Sequence, residues 1–302
     1  MDPKTLLLAG LVVIGLAYFT FWATSVRGQR AERGDTSALT PTPLQIGIGF
    51  ITNFLDTLGI GSYATSTAMF RAWKVVRDED IPGTLNVGHT LPTIVQALIY
   101  ITIVEVDFTT LVAIIGAAVA GAWLGAGIVA GFSRRSVQIG MGFALIGAAG
   151  LMLASLTGVG PAPGVALGLT TGPLVLAVGI SVVLGALMML GIGFYAPCLI
   201  MISLLGMNPT AAFPIMMGSC AFLMPTGSIR FIKKQRYDLR AAIGLLVGGP
   251  GAVLIAAFIV KSLPLDAVRW LVIAVVLYTA WGMLRAAAHE RARQPATATA
   301  TI

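Results

Sequence analysis

Two ionisable side chains and one repeated glycine turn carry the chemistry this sequence offers. Asp56 is the one acidic residue inside an apolar segment, and His89 is the one histidine in such a segment. A carboxylate at membrane depth costs about 2.5–3.5 kcal/mol on insertion scales, so it must be protonated, paired or solvated by a cavity. Asp56 therefore suits proton carriage; capping a broken helix is its competing role. His89 lies in Asn86-Val87-Gly88-His89-Thr90-Leu91-Pro92, beside a helix disruption and with polar Asn86 on the same face. It reads either as a proton or ligand group or as a satisfied, hydrogen-bonded structural histidine.

The glycine turn is Gly59-Ile60-Gly61-Ser62-Tyr63-Ala64-Thr65, and the chain writes it again as Gly191-Ile192-Gly193-Phe194-Tyr195-Ala196-Pro197, with five of seven positions identical. Paired glycine interruptions in two apolar halves mark a binding site built from broken helices. If helices start after Gly61 and Gly193, their free N–H groups and positive dipole ends suit a small anion. Ser62 and Thr65 hydroxyls add donors, and Tyr63 and Tyr195 belong to the same lining. Close helix packing through glycine, with no ligand, is the competing reading. Asp107-Phe108 matches Asp238-Leu239 at an offset of 131, and the glycine motifs match at 132. By that offset Gly88-His89 corresponds to Ser219-Cys220, which places small polar groups at the same depth in the second half; Asn86 and Thr90 flank the first. Gln96 and Thr226 extend the expected polar lining. Met188, Met189, Met201, Met216 and Met217 read as packing.

The elements that must position these groups follow from composition. The chain is 57% hydrophobic and 10% charged, with a mean hydropathy of +0.92, which fits a protein bathed in lipid. The net charge of +7 does not imply nucleic acid, because the cations sit in short loops between apolar runs. Cys198 and Cys220 both lie in apolar segments, which argues against a disulfide framework or a metal site.

The expected fold is an all-α polytopic membrane protein. An N-terminal membrane helix and basic linker occupy 1–43, the apolar run 5–23 being read as a retained helix in preference to a cleaved signal peptide. A first repeat covers 44–157, a Gly/Pro-rich linker 158–172, a second repeat 173–287 and a disordered tail 288–302. Charge sets the orientation. If each glycine-broken stretch, 44–70 and 173–206, enters and returns as a re-entrant hairpin, all but Lys4, Lys261 and Arg269 of the 19 Lys and Arg residues share one side. Each half then makes three full crossings, an odd number, so the halves form an inverted repeat. The C-terminus lies in the cytoplasm.

Enzyme signatures are absent: no Walker loop, no HExxH and no paired carboxylates within the membrane. No cofactor is expected, and the partners are a small anion and the lipid bilayer.

Gly49-Phe50, then Asp56, then Gly59-Ile60-Gly61-Ser62, followed by Pro82-Gly83-Thr84, resembles the sulfite exporter (TauE/SafE) family of membrane permeases. The similarity spans roughly 44–286 and implies secondary transport of small sulfur-containing or organic anions, sulfite or sulfonates among them, coupled to the proton gradient across a bacterial inner membrane. The chain departs from that pattern at Ser62-Tyr63, where more glycine is usual, and at Met188, which stands opposite Asp56 in the second half. Two other readings stay open: a passive anion channel of the same fold, and an intramembrane enzyme in which Asp56 and His89 converge with Cys220 or a hydroxyl.

Overall fold

Each apolar stretch folds as helix, and the boundaries follow local chemistry. The computed structural model describes residues 2–34, 39–128, 134–159, 164–189 and 192–293. The helices are α1 (Pro3–Arg33), α2 (Pro43–Thr57), α3 (Ser62–Ala72), α4 (Ile81–Ile103), α5 (Phe108–Ile128), α6 (Arg134–Leu156), α7 (Thr171–Met189), α8 (Tyr195–Leu204), α9 (Ala212–Lys234), α10 (Leu239–Ser262) and α11 (Leu265–Arg293). Pro43 opens α2, where the Thr42 hydroxyl accepts from the Gln45 N–H and the Gln45 side chain accepts from the Thr42 N–H. Such a reciprocal box satisfies donors that helix starts leave free. Asp107 and Asp238, related by the repeat offset, cap α5 and α10 by accepting from the N–H groups of Thr110 and Ala241 at 2.7 and 2.8 Å.

Both glycine-broken stretches are interrupted. After α2 the chain turns through Gly59 and Gly61 at φ of +94° and +86°, a region that side chains disfavour. After α7 it breaks before Tyr195, but Gly193 has no positive φ, so the two turns share sequence without sharing backbone conformation. Gly191 lies outside the described residues. Two expected boundaries move. The helix before the basic linker continues to Arg33, because residues 24–33 hold good helix formers and carry α1 past the apolar run. The last helix reaches Arg293, beyond the expected end at 287.

The two ends of the bundle are fixed by contacts between loops. At one end the Arg240 guanidinium donates to the Thr40 carbonyl at 3.1 Å, Arg236 lies 3.9 Å from Glu79, and the Asp238 N–H donates to the Thr84 hydroxyl. At the other end the Asp107 N–H donates to the Leu167 carbonyl, the Leu169 N–H donates to the Thr110 hydroxyl, and Ala166 bridges to Met207. The start of α2 and the end of α3 thus lie near the first end, and the start of α7 and the end of α8 near the second. At about 1.5 Å per residue, the 15 residues of α2 fall short of a hydrocarbon core of about 30 Å.

α4 and α9 form the central pair, with α9 83% buried over its most apolar window. α10 packs on α2 and α4, α7 on α5, α5 on α9, and α11 on α6. Glycine permits the closest crossings: Gly49 faces the backbone of Gly244 and Leu245, and Gly121 faces that of Val182. Phe50, Trp123, Phe143, Leu254 and Phe258 point outward. Among the described residues, six helices are long and apolar enough to cross a bilayer. Together with the outward apolar faces, they make this a multi-pass membrane protein.

Candidate functional site

Asp56 sits in the last turn of α2, fully inside the protein, where the α2 break lets the chain double back. Its Oδ1 accepts from the Ser62 N–H at 2.5 Å, so the carboxylate occupies the start of α3. Its Oδ2 accepts from Gln96 Nε2 at 3.0 Å, and the same amide nitrogen donates to Thr57 Oγ1 at 2.9 Å. Gln96 Oε1 accepts from the Tyr195 hydroxyl at 2.9 Å. The orientation of the Gln96 amide follows from these partners, since its nitrogen meets two acceptors and its oxygen a phenol donor. One buried chain of bonds therefore runs from the first helix break to the second.

A cavity of about 1020 Å³ opens above this chain. Its floor carries Asp56, Gly61, Ser62, Gly193 and Tyr195, and Cys220 and Met188 face it from α9 and α7. One wall is α3, through Ala64, Thr67 and Ala68; the opposite wall is α11, through Tyr278, Trp281 and Gly282. Exposed Arg71 and Arg285 lie toward the far ends of these helices and Gln138 at the start of α6. The Arg285 guanidinium stacks over Trp281 at 5.1 Å, and Arg71 pairs with Asp78 at 2.8 Å.

The start of α8 has no side-chain cap. Tyr63, the repeat mate of Tyr195, is buried, lines the cavity, and its hydroxyl has no partner. The reason lies in α9: the repeat places Gly227 opposite Gln96, so the amide that engages Tyr195 has no counterpart for Tyr63.

The other expected site residues divide into separate groups. His89 stands in a fully buried cluster, with Nδ1 3.0 Å from Asn53 Oδ1 and Nε2 2.9 Å from Ser66 Oγ. Asn53 Nδ2 donates to the carbonyls of Gly49 and Leu245, so its oxygen faces His89 and the Nδ1 proton belongs to the imidazole. This cluster is not part of the cavity lining. Thr90 bonds Ser228 at 3.1 Å, and Asn86 Nδ2 donates to the Pro82 carbonyl. Thr65 donates to the Ser62 carbonyl within α3, Gly59 packs against Leu199 and Met216, and the Ser219 hydroxyl is buried without a partner. Thr226, expected to extend the polar lining, is exposed on the outer face of α9 instead.

Gln138, Arg71 and Arg285 join the cavity without having been singled out by sequence. Gln138 had a signal, being the one amide side chain in the apolar span 137–157. A second cavity of about 320 Å³ lies at the opposite end, lined by Glu105, Asn208, Thr210 and Lys261 among others. Tyr100 separates it from the polar chain: its hydroxyl donates to the Thr57 carbonyl at 3.2 Å and its ring stacks on Phe213 at 5.2 Å. Among the described residues, no group of three His, Cys, Asp or Glu side chains could hold a metal ion. Compared with known proteins, the chain matches no family model, no curated protein and no solved structure.

Proposed function

We propose that this protein is a secondary transporter of small organic or sulfur-containing anions, built on an inverted repeat and related to the TauE/SafE permeases by its duplicated glycine motif. The observation that carries the reading is the cavity whose floor holds both helix breaks beneath a mouth marked by two arginines. The uncapped start of α8 and the exposed Arg285 favour an anion; the start of α3 is already taken by Asp56.

Helix packing supports the inverted repeat. Exchanging the halves turns the α2–α10 contact into α7–α5 and the α4–α10 contact into α9–α5, and each of these pairs packs. The exchange fails chiefly around α8, which lies against both α6 and α11, whereas α3 packs on neither and the cavity stands between α3 and α11. A repeat that is symmetric in sequence and closed on one side only is suited to alternating access. The Tyr100–Phe213 stack between the two cavities favours a transporter over an open channel.

Among the described residues, Asp56 is the one carboxylate on the lining of the large cavity. Protonating it removes a negative charge facing the anion, so proton and anion load together. The mouth, the loops near Thr40 and Arg236 and the C-terminus lie in the cytoplasm of a bacterial-type inner membrane, where the positive-inside bias places them. Uptake into proteoliposomes under an imposed pH step, across sulfite, sulfonates and carboxylates, tests the reading. No gradient-dependent uptake of any of them would remove it.

A further inference from the structure

The large cavity is out of scale with a bare oxyanion. At about 1020 Å³ it reaches the top of the range of roughly 300–1,000 Å³ that takes drug-sized ligands. A single water takes about 30 Å³, and an ion of a few heavy atoms would leave most of the space unfilled. The lining is also mixed. Beside its polar groups, Ile60, Met188, Phe194 and Met224 supply apolar surface. Methionine side chains adapt to varied ligand shapes. Two residues of this lining carry a buried polar atom with no partner among the described residues, the Tyr63 hydroxyl, a donor, and Gln138 Oε1, an acceptor. Buried polar groups are almost always satisfied, so the unpartnered Tyr63 donor points to a ligand that accepts from it.

We infer that the cavity binds an organic anion with an apolar body of at least phenyl size. Its acidic head takes the Tyr63 hydroxyl and the uncapped start of α8, and its apolar body lies against Met188 and Met224. This rests on the transport reading above and narrows its substrate class, setting sulfite itself aside.

The test uses the full-length protein in lipid nanodiscs, titrated with sulfite, methanesulfonate, butanesulfonate, hexanesulfonate and benzenesulfonate, with binding read by intrinsic tryptophan fluorescence and thermal shift. Affinity should rise by about fourfold for each methylene buried. Tyr63→Phe should weaken every sulfonate by a similar factor and leave the chain-length slope intact. Ala64→Trp, which fills the cavity from the exposed wall of α3, should abolish the slope. Sulfite binding as tightly as benzenesulfonate, or a slope that survives Ala64→Trp and so reports partition into lipid, would overturn the inference. Binding with the expected slope but no uptake in proteoliposomes leaves the inference standing and sinks the transport reading. Absence of binding by every member sinks both.

Discussion

The Tyr195 hydroxyl donates to Gln96 Oε1 at 2.9 Å, and the other end of that amide holds Asp56. The first residue of α8 is thereby tied to the last turn of α2. Tyr195→Phe leaves a buried amide oxygen without a partner, which costs about 1–3 kcal/mol. Tyr63→Phe removes a hydroxyl that has none, so its effect on stability should stay within about 0.5 kcal/mol. Thermal unfolding of the two variants in the same detergent compares them directly. Equal losses would mean that Tyr63 has a structural partner.

Asp56→Asn separates proton coupling from capping. The Asn oxygen can still accept from the Ser62 N–H, but its amide nitrogen then faces Gln96 Nε2. Gln96 must turn over and give up Tyr195, so a stability loss of about 1–3 kcal/mol accompanies any change in function. The variant should still exchange substrate at equal pH and should lose accumulation driven by a pH gradient. Undiminished gradient-driven uptake would leave Asp56 as a cap alone. His89 is the next candidate for the proton, although it lies outside the cavity in its cluster with Asn53 and Ser66.

Much of this arrangement is legible in the sequence, and the rest is not for definite physical reasons. The duplicated glycine turn locates both helix breaks, because glycine interrupts an apolar helix through local backbone freedom. Contacts between distant residues leave no such trace. Gln96 meets Asp56 across 40 positions and Tyr195 across 99, and only packing of α4 against both breaks brings them together. His89 and Asp56 share polarity and depth, yet they lie on different faces and do not converge. Thr226 reads as lining by spacing, but its face of α9 turns outward.

The two glycine motifs should respond differently to mutation. Gly61 has a φ of +86°, where a non-glycine residue costs about 1–3 kcal/mol. Gly193 has no positive φ, and a Cβ there meets no atom within 4 Å. Gly61→Ala should lower the stability measured by thermal unfolding, whereas Gly193→Ala should leave it within about 0.5 kcal/mol of the parent. Equal destabilisation would indicate that both breaks need the same backbone.

Sidedness can be read with single cysteines at positions 74, 233, 105 and 261. The existing Cys198 and Cys220 are buried and should stay silent. An impermeant thiol reagent on intact cells should label positions 105 and 261 and spare 74 and 233. Labelling of position 74 from outside would reverse the assignment of the two ends and remove the cytoplasmic mouth.

The Asp107 cap supplies a pH-dependent term outside the membrane segments. The Thr110 backbone N–H, then its hydroxyl, hold this carboxyl below its ordinary value. A lowered folded-state value means that the cap stabilises fully above the unfolded carboxylate range and fades as pH falls through the folded value. Asp107→Ala should cost about 1 kcal/mol at neutral pH. That difference from the parent should shrink in acid, as measured by melting at pH steps from neutral downward. A pH-independent difference would assign the loss to packing against Gly168, which the Asp107 side chain also faces.

The bonds around Asp56 also set an order in time. Synthesis delivers Asp56 first, Gln96 with α4, and Tyr195 only after the whole first half has left the ribosome. Until α8 arrives, the amide that holds the carboxylate lacks its own phenol donor, in a bilayer where an unmet polar group is costly. The first half expressed alone therefore carries an unfinished core. Co-expression of the two halves as separate chains should restore what neither holds by itself, and the maturation of this protein is a step that waits for its second half.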